Sequence, residues 1–193
     1  YYRIKAIESS SGVLRGEWGS IPLNGFEPLY LPVGGRAQAN VPVIFDDEGL
    51  EMTVRALAGV TDRELMTSDI GHLADLDLAR EEISTLAGLE HLNTLDSLTL
   101  TENQVVDLWP LSGLKDLRHL DLDHNQVVDL APLRGLRALT FLDLAYNAVS
   151  DLSILPRLRS LETLNLDVNE VQNLSALSGL SLISLRLSQN QIE

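Results

Sequence analysis

One feature restricts the fold of this chain more than any other: a leucine pattern that returns at a fixed interval. Leu95 opens LDSLTLTENQVVDLWPLSGLKD, Leu117 opens LRHLDLDHNQVVDLAPLRGLRA and Leu139 opens LTFLDLAYNAVSDLSILPRLRS. The three segments align without gaps at a period of 22. Leu161 opens a 21-residue copy, Leu182 a final partial one, and Leu73 a weaker copy on the near side. Five whole units and one partial unit therefore run from 73 to 193. One such unit cannot bury its own apolar residues, whereas stacked units share a continuous core.

Within a unit the order is L-x-x-L-x-L-x-x-N, the signature of leucine-rich repeats. It predicts an α/β solenoid, each coil a short strand, a corner and a return segment. Leu95, Leu98, Leu100, Val105, Leu108, Leu111 and Leu114 form the expected inward set of one coil. Asn103, Asn125, Asn147, Asn169 and Asn190 recur at the corner. An amide carries both donor and acceptor, so these five are expected to be structural, satisfying backbone groups where the chain turns. Glu81 takes that place in the first coil, which is expected to be open to water there. Thr85, Asp107, Asp129, Asp151 and Asn173 follow the corner as cap-type residues for a short helical return, with Pro110 and Pro132 early in it.

Ahead of the repeats, residues 46–72 read as a helical N-terminal cap. Asp46 or Asp47 opens a helix with Leu50, Val54 and Leu57 on one face and Gly59 at its end. Thr61-x-x-Glu64 reads as a capping box for a second helix. Residues 24–45 read as a Pro/Gly linker. Residues 1–23 alternate at Tyr2, Ile4 and Ala6, turn near Ser9–Gly16 and return, which predicts a short β-hairpin.

Two resemblances follow from these motifs. Leu50-Glu51, Val54-Arg55, Leu57 and Thr67-Ser68-Asp69-Ile70, leading into N-Q-V-V-D-L-x-P-L-x-G-L units, resemble the cap and repeats of internalin-type bacterial leucine-rich repeat proteins. The units are also similar to those of intracellular phosphatase-regulating leucine-rich repeat proteins. Residues 1–23 resemble the last strands of a fibronectin type III domain. The internalin resemblance implies a secreted or cell-surface bacterial protein that adheres to, or recognises, other macromolecules. The abrupt ends suggest a fragment of a longer protein, or open ends that self-associate.

Composition narrows the function. Lys+Arg total 14 against Asp+Glu 28, a net charge of −14, which disfavours nucleic acid and anionic lipid. Zero cysteines remove disulfides and thiolate metal sites. No run of apolar residues is long enough to span a bilayer. No nucleophile elbow, zinc-protease or phosphate-loop motif is present, so neither an enzyme nor a cofactor is expected. The strand positions between leucines should face the concave side. There Asp121, Asp123, Asp143 and Asp167 line up near His119, Phe141 and Tyr146. These seven are the candidate ligand-binding residues, facing a protein partner that is basic at the contact. No metal site is expected, and any cation contact would be a loose all-oxygen calcium one. The leading reading is a non-catalytic protein-recognition module of a secreted or surface protein. The alternatives are a structural subunit of an extracellular filament or layer, and an intracellular leucine-rich repeat scaffold.

Overall fold

The computed structural model describes residues 40–192. The hairpin read over 1–23, with its fibronectin resemblance, and the linker over 24–39 lie outside them. Two helices come first, α1 (Glu48–Ala58) and α2 (Thr67–Ile70). Six three-residue strands follow: β1 (Asp75–Asp77), β2 (Ser97–Thr99), β3 (His119–Asp121), β4 (Phe141–Asp143), β5 (Thr163–Asn165) and β6 (Ser184–Arg186). They form one parallel sheet in sequence order. Between strands the chain returns through a short 3₁₀ segment. This is an α/β leucine-rich repeat solenoid.

The central leucines of β1 to β5 are buried, and register pairs Leu76 with Leu98, Leu98 with Leu120, Leu120 with Leu142 and Leu142 with Leu164, while Leu185 of β6 is 41% exposed. Leu95, Leu98, Leu100, Val105, Leu108, Leu111 and Leu114 are all buried in one cluster. The return segments are 3₁₀ rather than α-helical for a reason the leucines supply. Leu108, Leu111, Leu114 and Leu117 recur every third residue, and 3₁₀ geometry eclipses positions i and i+3. The N–H groups of Leu111, Leu114 and Leu117 donate to Leu108, Leu111 and Leu114 in turn, which is that hydrogen-bond pattern. Asp107, Asp129, Asp151 and Asn173 accept from the N–H two residues on, at 2.7–2.9 Å, and so open each return as a tight cap.

At the corner each asparagine bonds backward to the preceding coil. Asn125 donates from Nδ2 to the carbonyls of Leu100 (2.8 Å) and Leu122 (3.1 Å), and its Oδ1 accepts from the Val105 N–H (2.9 Å). Asn147, Asn169 and Asn190 repeat the pattern one coil further each time. Asn103 accepts from both Ile83 and the corner residue Glu81, which is exposed.

The cap departs from the sequence expectation in three places. Residues 61–64 form no helix. The second helix begins at Thr67, and Asp69 accepts from the Met66 N–H at 2.8 Å. The backbone at 65–66 is extended because Val43 donates to the Leu65 carbonyl and the Thr67 N–H donates to Val41. That antiparallel contact also ends the linker early, since Val43 and Phe45 are buried in the core. Gly88 accommodates Phe45, for a Cβ there would lie 2.4 Å from its ring. On α1, Leu50 and Val54 are buried but Leu57 is 48% exposed. The buried stripe runs through i and i+4 to Ala58, leaving Leu57 turned to solvent. Asp47 joins cap to solenoid, one oxygen accepting from Leu50 and the other from Ser84. Arg63, bonded bidentately to Asp69, together with the Met66 N–H, holds that carboxyl down to about 2.

The corner bonds make a graded prediction. Asn103→Ala strands buried backbone groups on two coils and should cost about 3 kcal/mol. Asn190→Ala, on the half-buried last rung, should cost clearly less. Urea unfolding midpoints of the two variants check the order.

Candidate functional site

The exposed face of the sheet is built by the residues flanking each inward leucine. Register places Asp75, Ser97, His119, Phe141, Thr163 and Ser184 in one column. Asp77, Thr99, Asp121, Asp143, Asn165 and Arg186 form the next. His119 therefore lies beside Phe141, and Asp121 beside Asp143. Asp123, Asp143, Tyr146 and Asp167 line one open depression of about 390 Å³, with Arg186 on its far side. Phe141, Asp143 and Arg186 line an adjoining one of about 250 Å³. The seven predicted ligand-binding residues thus occupy a contiguous stretch of surface across β3, β4 and the coil that follows.

Two aromatic stacks stabilise that stretch. The His119 and Phe141 rings lie 4.1 Å apart at 9°. The His124 and Tyr146 rings lie 3.9 Å apart at 17°. Parallel strands sit about 4.8 Å apart, so side chains on equivalent rungs stack without distortion. His124 also approaches Asp123, Nδ1 to Oδ2, at 2.9 Å.

The aspartates have a second task. At the end of each strand the side chain accepts from the N–H two residues on: Asp77 from Ala79, Asp121 from Asp123, Asp143 from Ala145 and Asn165 from Asp167. Carboxylate and amide serve equally, because only an acceptor oxygen is required. Asp143 has no oxygen to spare, as its other one accepts from Asn165 Nδ2 at 2.9 Å. Asp167 accepts from the Ser188 N–H at 2.6 Å. Asp121 keeps an oxygen open to solvent, and Oδ1 of Asp123 is buried with no hydrogen-bond partner among the described residues. Burial raises the Asp143 carboxyl above its ordinary 3.8, and the charges of Asp121 and Asp123 add to this against the bonds from Ala145 and Asn165.

Sequence reasoning passed over Arg186 as a site residue. It ends the aspartate column on β6, and among the described residues no carboxylate lies within 4 Å of it. Its place in the column was the signal: a cation where its neighbours are acids.

A further column follows from the repeat, but its backbone conformation does not. Arg80, Glu102, His124, Tyr146, Val168 and Gln189 each adopt a left-handed backbone, φ between 52° and 64°. None is glycine. The turn into the corner demands this conformation, and each residue then projects outward along the rim of the sheet. Arg80 bonds Glu102 at 2.6 Å there and holds its carboxyl below the usual range.

Two predictions follow. Val168 is β-branched and disfavours positive φ, whereas asparagine tolerates it. Val168→Asn should raise stability by about 1 kcal/mol, read as a higher thermal midpoint. Asp143, whose folded-state proton is held more tightly than in the unfolded chain, loses stability as pH rises from 3.8 through its elevated folded value. The stability of Asp143→Asn relative to the native protein should therefore improve as pH rises through that window. Urea titrations at pH 3.5 and 7 check the sign.

Comparison with known proteins agrees with this geometry. The model for leucine-rich repeats (two copies) matches residues 137–179. The structure of InlF, an internalin from Listeria monocytogenes, is 29% identical with a TM-score of 0.75, over 79% of this chain and 47% of that one. Internalin C2 from the same organism is 27% identical with a TM-score of 0.44, over 80% and 90%. A leucine-rich repeat protein of Leptospira interrogans is 26% identical with a TM-score of 0.58, over 65% and 33%. No curated protein sequence matches the chain significantly. The chain spans about half the length of InlF. Folds of this kind are typically non-catalytic binding modules, and no described helix is long and apolar enough to cross a membrane. The chain folds as a leucine-rich repeat solenoid similar to that of a bacterial internalin.

Proposed function

We propose that this chain is the protein-recognition module of a secreted or surface-attached bacterial protein, and that its open sheet face receives a protein partner bearing lysine or arginine at the contact. The observation that carries this reading is the pair of aromatic stacks, His119 on Phe141 and His124 on Tyr146, set among four aspartates. Prestacked rings lose little freedom on binding, and aromatics ringed by polar groups are where interface energy concentrates. Carboxylates around them select a basic partner and speed its approach. The internalin likeness supports the bacterial surface setting.

The depressions of the face are shallow, and in the neighbourhood of Ser97, His119 and Asp121 the recorded contacts are the His119 stack and the Asp121 cap on the Asp123 N–H. Among the described residues no three histidine, aspartate or glutamate side chains converge as they would around a metal ion.

Photo-crosslinking tests the proposal. A benzophenone amino acid at position 141 should capture a protein from the culture's natural surroundings, while the same group at Val128, exposed on another side, should not. Asp121→Lys should weaken the captured partner's binding at least tenfold and flatten its salt dependence. Phe141→Ala should weaken it by about 2 kcal/mol. Equal capture from both positions, or unchanged affinity in Asp121→Lys, removes the reading.

A further inference from the structure

The cations of this acidic chain are unevenly placed. Ten of its lysines and arginines lie among the described residues, and five of them gather where three consecutive coils leave the return segment and approach the sheet: Lys115, Arg134, Arg137, Arg157 and Arg159. The cause is the repeat. Leu114, Leu136 and Leu158 end their 3₁₀ segments with nearly the same backbone, φ −80 to −86° and ψ 66 to 70°. The residue after each is Lys115, Arg137 and Arg159, so the three side chains leave the solenoid from equivalent points on adjacent coils. Arg137, Arg157 and Arg159 line one depression of about 220 Å³ with Pro156. Arg134 lies over the Trp109 ring at 5.8 Å.

These cations are also unneutralised. Arg55, Arg63, Arg80 and Arg118 each pair with a carboxylate. Among the described residues, none of the five has a carboxylate within 4 Å, although Asp116 and Glu162 are close in sequence, and all five are exposed. A protein of net charge −14 has acids to spare. Leaving five neighbouring cations unpaired maintains a positive patch within a negative surface, which draws anions locally. Four of the five are arginine, whose planar fork matches tetrahedral oxyanions with two parallel hydrogen bonds.

We propose that this ladder is a second binding site, distinct from the sheet face, for a flexible, non-nucleic polyanion that bears sulfate or phosphate groups along its length. Coils about 5 Å apart set cations at intervals that a chain of closely spaced oxyanions can follow. Duplex nucleic acid fits less well, because a stiff rod cannot bend along a strip three coils long and so lies against the acidic remainder of the molecule. The patch is independent of the sheet reading, since its residues sit on or just after the return segments, outside the strands.

Isothermal titration of the full chain with a heparin oligosaccharide and, separately, with poly(glycerol phosphate) at low salt tests the site and tells its two sources apart. Binding of either, abolished at 0.5 M NaCl, is expected. Arg137→Glu/Arg159→Glu should lose at least tenfold in affinity and lower the salt slope by about 2. Arg137→Lys/Arg159→Lys, which keeps the charge and removes the fork, should lie between. Asp121→Lys on the sheet face should leave affinity within twofold. Arg137 and Arg159 are exposed, and circular dichroism verifies folding of every variant. No binding of either polymer, unchanged affinity in the double glutamate variant, or equally tight binding of duplex DNA would overturn the proposal.

Discussion

The corner asparagine is the interaction on which this architecture depends. A coil that turns sharply leaves backbone groups unpaired beside an apolar core, and burying them unpaired is costly. One amide resolves the problem on both sides of the turn. Its nitrogen closes its own coil and reaches the carbonyl of the coil before, and its oxygen takes the N–H of that earlier coil. Leucine burial supplies the driving force, but leucines alone would tolerate slippage between coils. The amide fixes the register, and the strand columns inherit it.

Much of this is legible because the relevant residues are periodic. The inward leucines, the asparagine column and the capping aspartates of the returns recur at fixed offsets, and a recurring side chain implies a recurring environment. The short helical returns are 3₁₀, which leucines spaced by three suit, and the departures from expectation lie in the cap. Thr61 and Glu64 have the chemistry of a capping box, yet the chain from 65 to 67 is drawn into a contact with 41–43, a partner distant in sequence. Leu57 was assigned inward by an i+7 count that the packing of α1 does not use.

The candidate site shows a different limit. The sequence places the aspartates on one face correctly in register but does not reveal that strand ends use them. Asp143 spends both oxygens within the protein, whereas Asp121 leaves one open to solvent. Identical residue types in one column therefore differ in availability, and only the neighbouring coil decides which is which. Arg186 adds a cation to the end of the same column. The outcome is a surface graded in charge from β3 to β6, with an unrelated basic strip at another edge of the solenoid.

The left-handed rim residues carry one more implication. Because the turn fixes the same backbone on every coil, whatever amino acid occupies that place is delivered to an equivalent spot: an arginine, a glutamate, a histidine, a tyrosine, a valine, a glutamine. Shape is set by the coil and chemistry by the letter it happens to carry. Such a protein can exchange its outward vocabulary one rung at a time while its scaffold stays unaltered.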